Sequence, residues 1–149
     1  MTEALHTDVL VIGWGKAGKT LAGALGRGGR SVTVVEQAAD MIGGTCINIG
    51  CVPTKALVHQ AQERREGDDP ASWFDRSVDA RDALIARLNA ANRAMLETVD
   101  AVRLVVGGAA SFVGPRQVRV TAGEDDLLIR RATRRLLARQ LAAPQEGTA

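Results

Sequence analysis

The chemistry-bearing stretch is Gly43-Gly44-Thr45-Cys46-Ile47-Asn48-Ile49-Gly50-Cys51-Val52-Pro53-Thr54-Lys55, which holds both cysteines of the chain. Cys46 and Cys51 are five positions apart, and Lys55 follows four places later. On an ideal helix such cysteines would have Cα atoms ~8–9 Å apart, from the rise and radius of the helix. A disulfide needs less than ~7 Å. A Cys46–Cys51 bond therefore calls for a distorted helix start, and Gly50 and Pro53 permit one. A helix start also lowers thiol pKa, through unpaired N–H groups and the macrodipole. Low-pKa thiols in a tight, reducible ring suit thiol–disulfide exchange. The adjacent glycines suggest backbone passing against a flat ligand with no room for Cβ atoms. A metal site has little support, because no second cysteine pair or histidine cluster follows, and His59 reads as an ordinary helix residue. An inert pair of buried cysteines stays open, although it leaves the glycines and Lys55 without a role.

The elements upstream must deliver something to these sulfurs. Val9-Leu10-Val11-Ile12 is a short apolar run ending in glycine, the pattern of a buried parallel strand. Gly13-Trp14-Gly15-Lys16-Ala17-Gly18 follows, then a helical pattern through Leu21, Ala22, Ala24 and Leu25 that Gly28-Gly29 stops. Ser31 to Val35 reads as a second strand, closed by Glu36. Strand, glycine loop, helix, strand and acid within about thirty residues describe a dinucleotide-binding βαβ unit. Gly13 allows the tight turn, Gly15 lets backbone N–H groups approach a pyrophosphate, and Gly18 lets helix and strand pack closely. Glu36 is placed to accept hydrogen bonds from an adenosine ribose. Gly13 through Thr20 also fits G-x-x-x-x-G-K-T, the phosphate loop of nucleoside triphosphatases. That reading needs a later strand ending in a magnesium-holding aspartate, and Glu36 fits the dinucleotide pattern better.

Taken together, G-G-T-C-x-N-x-G-C-x-P-T-K resembles the active-site motif of the class I pyridine nucleotide-disulfide oxidoreductases, which include dihydrolipoamide dehydrogenase, glutathione reductase and mercuric reductase. The resemblance covers about the first 125 residues in layout. The runs Gly13 to Ala22 and Ile42 to Cys51 look closest to the reactive-chlorine-resistance branch, which reduces copper(II). The resemblance implies an α/β fold: an FAD-binding Rossmann-like domain with a parallel sheet, a βαβ unit, long helices and a β-meander. Here it would be incomplete, lacking the NAD(P) and interface domains. Gly13, Gly15, Gly18 and Glu36 would hold the adenosine half of a non-covalent FAD, with Gly44 and Thr45 lying along it. Cys51 would face the flavin as the charge-transfer thiolate, Cys46 would be the outer, interchange thiol, and Lys55 would sit at the flavin ring. The implied activity is an oxidoreductase acting on a sulfur group, with NAD(P)H as donor and a small disulfide or metal ion as acceptor. The implied assembly is a homodimer. The alternative is a non-enzymatic nucleotide-binding remnant.

Composition sets the frame. With 149 residues, a formal charge of +2, no tyrosine and 3% aromatics, the chain has no nucleic-acid footprint. Residues 1–8 carry acids and no signal-like apolar run, and no stretch suits a membrane helix, so the expected location is cytoplasmic. There, paired cysteines are catalytic or metal-binding more often than structural. Beyond Lys55 a helix is expected with Ala56, Leu57 and Ala61 on one face, broken by Glu66 to Pro70. A second helix of about five turns follows, with Leu84, Ile85, Leu88, Met95, Leu96 and Val99 inward, capped by Ser77 or Asp75. Arg103 to Val106, Ala110 to Val113 and Gln117 to Thr121 read as a β-meander.

After residue 129 the family layout would give an alanine-rich turn and a buried strand ending in Thr-Gly. Residues 130–149 hold five arginines between Arg130 and Arg139 instead. The expectation there is no strand, and at most a basic amphipathic helix with Leu136, Leu137 and Leu141 on one side. Out-of-frame translation of a longer gene would account for the break; the other two reading frames past Ile129 test it by the presence or absence of that strand. Neither His6 nor His59 matches the family's late acid–base histidine, and no second glycine-rich unit for a nicotinamide is present. The sheet should thus be left with an unpaired edge, and the isolated chain should retain FAD weakly and aggregate.

Overall fold

The computed structural model describes residues 4–122, 125–131 and 137–139. The valine-rich runs form β2, β3 and β4, and the alanine- and leucine-rich runs the long helices. In chain order they are β1 (Leu5–Thr7), β2 (Val9–Ile12), α1 (Lys16–Arg27), β3 (Val32–Glu36), a 3-10 turn (Ala39–Met41), α2 (Thr45–Asn48), α3 (Cys51–Glu63), α4 (Pro70–Glu97), β4 (Val102–Val106), β5 (Ala109–Gly114), β6 (Gln117–Ala122), β7 (Asp125–Arg131) and β8 (Leu137–Arg139). Two four-stranded sheets result, in the orders β4-β3-β2-β8 and β1-β7-β6-β5.

The first sheet is wholly parallel, with Val9 to Ile12 opposite Val32 to Val35, and Val32 to Glu36 opposite Val102 to Val106. Alternation along its strands separates two cores. Val9, Val11, Val32 and Val34 face Ala22 of α1 and Leu96 of α4, with Trp14 and Ile42 completing that cluster. Leu10 and Val35 face the other way, onto Val118, Val120 and Ile129 of the second sheet. A parallel sheet covered on both faces needs apolar residues at nearly every position, which is why β2 is a continuous apolar run and β3 is valine apart from the buried Thr33 and its last residue, Glu36. The chain changes sheets at Asp8. Thr7, 2% exposed, ties this crossing down by donating from Oγ1 to the carbonyls of Val9 and Ser31.

Four expectations need correction. β4 pairs in parallel with β3, so the meander consists of β5, β6 and β7 only. Periodicity cannot separate these cases, since a short half-buried strand looks the same in either sheet. α4 runs from Pro70, about eight turns rather than five, and is capped by Asp69, whose carboxylate accepts from Ser72 N at 2.8 Å. Ser77 lies inside the helix, where its Oγ donates to the Trp73 carbonyl. Pro at the first helical position with Asp before it is the stronger start signal. Finally, a strand does follow residue 129. β7 continues to Arg131, and β8 at Leu137–Arg139 pairs in parallel with Leu10 to Ile12 of β2. The expected amphipathic helix is therefore absent at Leu137, and the edge of β2 is covered; Leu136 and Leu141 lie outside the described residues.

Candidate active site

The glycine loop is three residues long. Gly13, at φ +93°, turns the chain out of β2, and α1 begins at Lys16 immediately after Gly15. Gly13 N donates to the Val35 carbonyl at 2.7 Å. A Cβ on Gly18 would stand 2.8 Å from Val11 Cγ1 and 3.0 Å from the Gly13 carbonyl. Gly18 is thus the residue that lets α1 lie against β2. No side chain caps α1 and its first turn holds no acid, so its leading N–H groups keep their positive end free, as a phosphate site requires. The triphosphatase reading fits this geometry poorly. Residues 16–19 are already helical, and the Lys19 ammonium donates to Asn92 Oδ1.

Glu36 stands at the end of β3 beside this loop. Its carboxylate accepts from Trp14 N at 2.7 Å and from Ala38 N at 3.3 Å. It therefore braces the glycine loop, and each oxygen still has a lone pair for a ribose hydroxyl. Trp14 itself is fully buried beneath the loop.

The cysteine stretch folds back onto the glycine loop. Gly43 and Gly44 take φ +92° and +82°, and a Cβ on Gly44 would lie 2.7 Å from Gly15 Cα. Two backbones touch here, so protein packing, and not only a flat ligand, demands glycine at 44. Cys46 lies in the one-turn helix α2, and Cys51 opens α3. Ile49 and Gly50 separate the two helices, with Ile49 N and Gly50 N both donating to the Thr45 carbonyl. This is the interruption that the spacing of the cysteines calls for. Thr45, Cys46, Cys51 and Lys55 are all exposed, and no S–S bond joins the two sulfurs.

The expected lowering of thiol pKa does not hold for Cys51. The hydrogen bond from Cys46, and then the charge of Cys46, push the Cys51 thiol above its ordinary value, against a smaller pull from Lys55. Once one sulfur of the pair carries charge, its neighbour resists ionising. Removing Cys46 should therefore release Cys51. In Cys46→Ala the pH midpoint for alkylation of Cys51 should fall below that of the reduced wild-type chain, as measured by iodoacetamide rates across a pH series. An unchanged midpoint would refute this coupling.

Three asparagines had no role assigned from the sequence: Asn48, which is the N of the cysteine motif, and Asn89 and Asn92 of α4. Asn48 Nδ2 donates to the carbonyls of Ile42 and Gly44, each at 3.0 Å, and its Oδ1 accepts from Asn89 Nδ2 at 2.8 Å. Asn92 accepts from Lys19 and donates to the Leu88 carbonyl at 2.6 Å. The available signal was the pair of polar residues at 89 and 92 interrupting the apolar stripe between Leu88 and Leu96. Burial lowers the pKa of Lys19, aided by the charge of Lys16 and opposed by Cys46. Lys19 of α1 and the outer cysteine are thus electrostatic neighbours.

The site thus joins a dinucleotide-type βαβ loop, in backbone contact, to a turn that carries a pair of cysteines. The family described as pyridine nucleotide-disulphide oxidoreductase matches residues 7–132. The chain belongs to that family. It is 40% identical over 125 residues to the probable pyridine nucleotide-disulfide oxidoreductase RclA of Escherichia coli, covering 82% of this chain and 26% of the relative. To the mercuric reductase of Streptomyces lividans it is 33% identical over 123 residues, covering 74% of this chain and 26% of the relative. Among solved structures, the Cu(II) complex of the HOCl-induced flavoprotein disulfide reductase RclA from Escherichia coli superposes with a TM-score of 0.76 at 36% identity, over 85% of this chain and 27% of that one. The chain thus spans about a quarter of the length of these relatives. No helix among the described residues is long and apolar enough to cross a membrane.

Proposed function

We propose that residues 1–129 form the N-terminal part of the FAD-binding domain of an FAD- and NAD(P)H-dependent oxidoreductase. Its Cys46–Cys51 pair cycles between disulfide and dithiol to reduce a small disulfide or a metal ion. The observation that carries this reading is the contact of Gly44 with Gly15, which sets the turn leading into Cys46 against the start of α1. Family membership and the superposition on a flavoprotein disulfide reductase support it.

The residues present fit the cofactor. The uncapped start of α1, with Gly13 and Gly15 before it and Gly18 inside it, suits a pyrophosphate. Glu36 retains acceptor capacity for the adenosine ribose. Gly44 and Thr45 would line the dinucleotide, and Lys55 would stand beside the flavin ring. When bound, FAD supplies two-electron transfer between a nicotinamide and sulfur. The chain's own part is sulfur chemistry. Two electrons and two protons open the Cys46–Cys51 bond. The exposed Cys46 thiolate then attacks one sulfur of a disulfide acceptor and expels the other as a thiolate. Cys51 displaces the acceptor's remaining thiol from Cys46 and restores the ring. Metal-ion acceptors enter the proposal through the relatives that are a mercuric reductase and a copper(II) complex. A homodimer in the reducing cytoplasm completes the reading, since there a sulfur pair is used for exchange more readily than for structure.

The test is mass spectrometry of the native chain with and without a mild reductant, followed by alkylation. The expected result is a two-hydrogen difference, with two alkyl groups added only after reduction, and no such difference in Cys51→Ser. FAD titration should show weaker binding in Glu36→Ala. If Cys46 and Cys51 never join under any thiol–disulfide buffer, the redox reading fails.

A further inference from the structure

We infer that Asn89 and Asn92 of α4, the latter held by Lys19, are positioning residues that set how readily the Cys46–Cys51 ring closes. This deepens the proposed function and rests on it.

α4 is pinned at its end by Leu96, which is fully buried in the core shared with α1 and the parallel sheet. One and two turns before that anchor, the same side of the helix presents Asn92 and Asn89 instead of apolar residues. Both meet the cysteine turn. An ideal Cβ built on Gly43 would lie 3.5 Å from Asn89 Oδ1 and 3.5 Å from Asn92 Nδ2, so both amides flank the side of the turn where only glycine fits. Asn89 also holds the far end of α2, through Nδ2 to Asn48 Oδ1 at 2.8 Å. The amide orientation follows from the network, because Asn48 has already committed its own Nδ2 to the Ile42 and Gly44 carbonyls. Asn92 is fixed from two sides, by the Lys19 ammonium and by its own bond to the Leu88 carbonyl.

α2 is a single turn, too short to hold its own shape. These contacts, together with its packing against α3, fix its orientation. Cys46 lies between Gly43, which the two amides flank, and Asn48, which Asn89 holds. The clamp thereby restricts where the Cys46 sulfur can travel relative to Cys51, whose helix α3 is a separate element. Ring closure is an intramolecular step, so its equilibrium depends on the effective concentration of one sulfur at the other. A looser clamp lowers that concentration.

The experiment equilibrates the full 149-residue chain in glutathione buffers of graded GSH and GSSG content, with acid quench, alkylation and mass spectrometry. In the balanced reaction the two thiols are oxidised to the Cys46–Cys51 disulfide while one GSSG is reduced to two GSH. Asn89→Leu and Asn92→Leu should each lower the equilibrium constant for ring formation by about three- to tenfold, the range a lost hydrogen bond of ordinary strength gives. Asn92→Asp keeps an acceptor for Lys19 and should restore most of the wild-type value. Val32→Ala, in the same core but on β3 rather than on α4, should lower the unfolding midpoint yet leave the constant within twofold, which separates positioning from bulk stability. Should Asn89→Leu fail to fold, Asn89→Ser serves in its place. Wild-type constants in both leucine variants, or equal loss in Asn92→Asp and Asn92→Leu, would overturn the inference while leaving the redox reading intact. A wild-type chain that never forms the ring would overturn both.

Discussion

Gly44→Ala should destabilise the chain by about 3–4 kcal/mol, since it combines a backbone conformation that only glycine adopts with a buried backbone clash. The residue sits at φ +82° and ψ 179°, and its added Cβ would be 2.7 Å from Gly15 Cα. Neither partner can yield cheaply. Gly15 is the residue on which α1 starts, and Gly44 is the residue on which α2 starts. Gly29 provides the control. It has a similar φ of +79° but nothing within 4 Å of a Cβ. Gly29→Ala should therefore cost only about 1–2 kcal/mol, the left-handed penalty alone. Urea midpoints of the two variants measure the difference. Equal losses would mean that the contact between the loops contributes nothing, and the joining of nucleotide loop and cysteine turn would lose its physical basis.

The second large effect concerns Trp14. Trp14→Ala should cost about 3–5 kcal/mol, as other deletions of buried large side chains do. The indole is fully buried in the cluster of Val9, Val11, Val34 and Leu96. Its Nε1 has no hydrogen-bond partner among the described residues. Burying an unpaired donor costs about 1–3 kcal/mol. Trp14→Phe removes that donor with most of the ring retained, so it should fall within about 1 kcal/mol of the wild type. Thermal or chemical unfolding of the two variants checks this. If the phenylalanine variant is as damaged as the alanine variant, the indole N–H has a role that its geometry does not reveal. The backbone of the same residue donates to Glu36, so losing the ring should also loosen the loop that approaches a pyrophosphate.

How much of this was legible depends on whether the signal was local. The βαβ unit could be read because each part is punctuated within a few residues: an apolar run, a glycine turn, a helical stripe, a second run and an acid. The break between Cys46 and Cys51 could be read because helix geometry forbids the pair otherwise. The sheet assignment of Val102–Val106 was not legible, since its parallel partner β3 lies more than sixty residues away in the chain. Nor was β8, whose three residues carry little pattern of their own and owe their strand form to the free edge of β2.

Sequence alone determined the chemistry of this chain: two thiols five apart behind a glycine pair, and a glycine loop closed by an acid. Those are matters of residue type and spacing, and backbone sterics turns them into local shape. Tertiary structure decided what those pieces do to one another. Gly44 meets Gly15, Glu36 braces the loop before any ligand does, and the asparagines of α4 grip the turn that carries the outer sulfur. Such contacts join residues from about twenty to about fifty positions apart, and no local periodicity records them because packing, not propensity, brings them together.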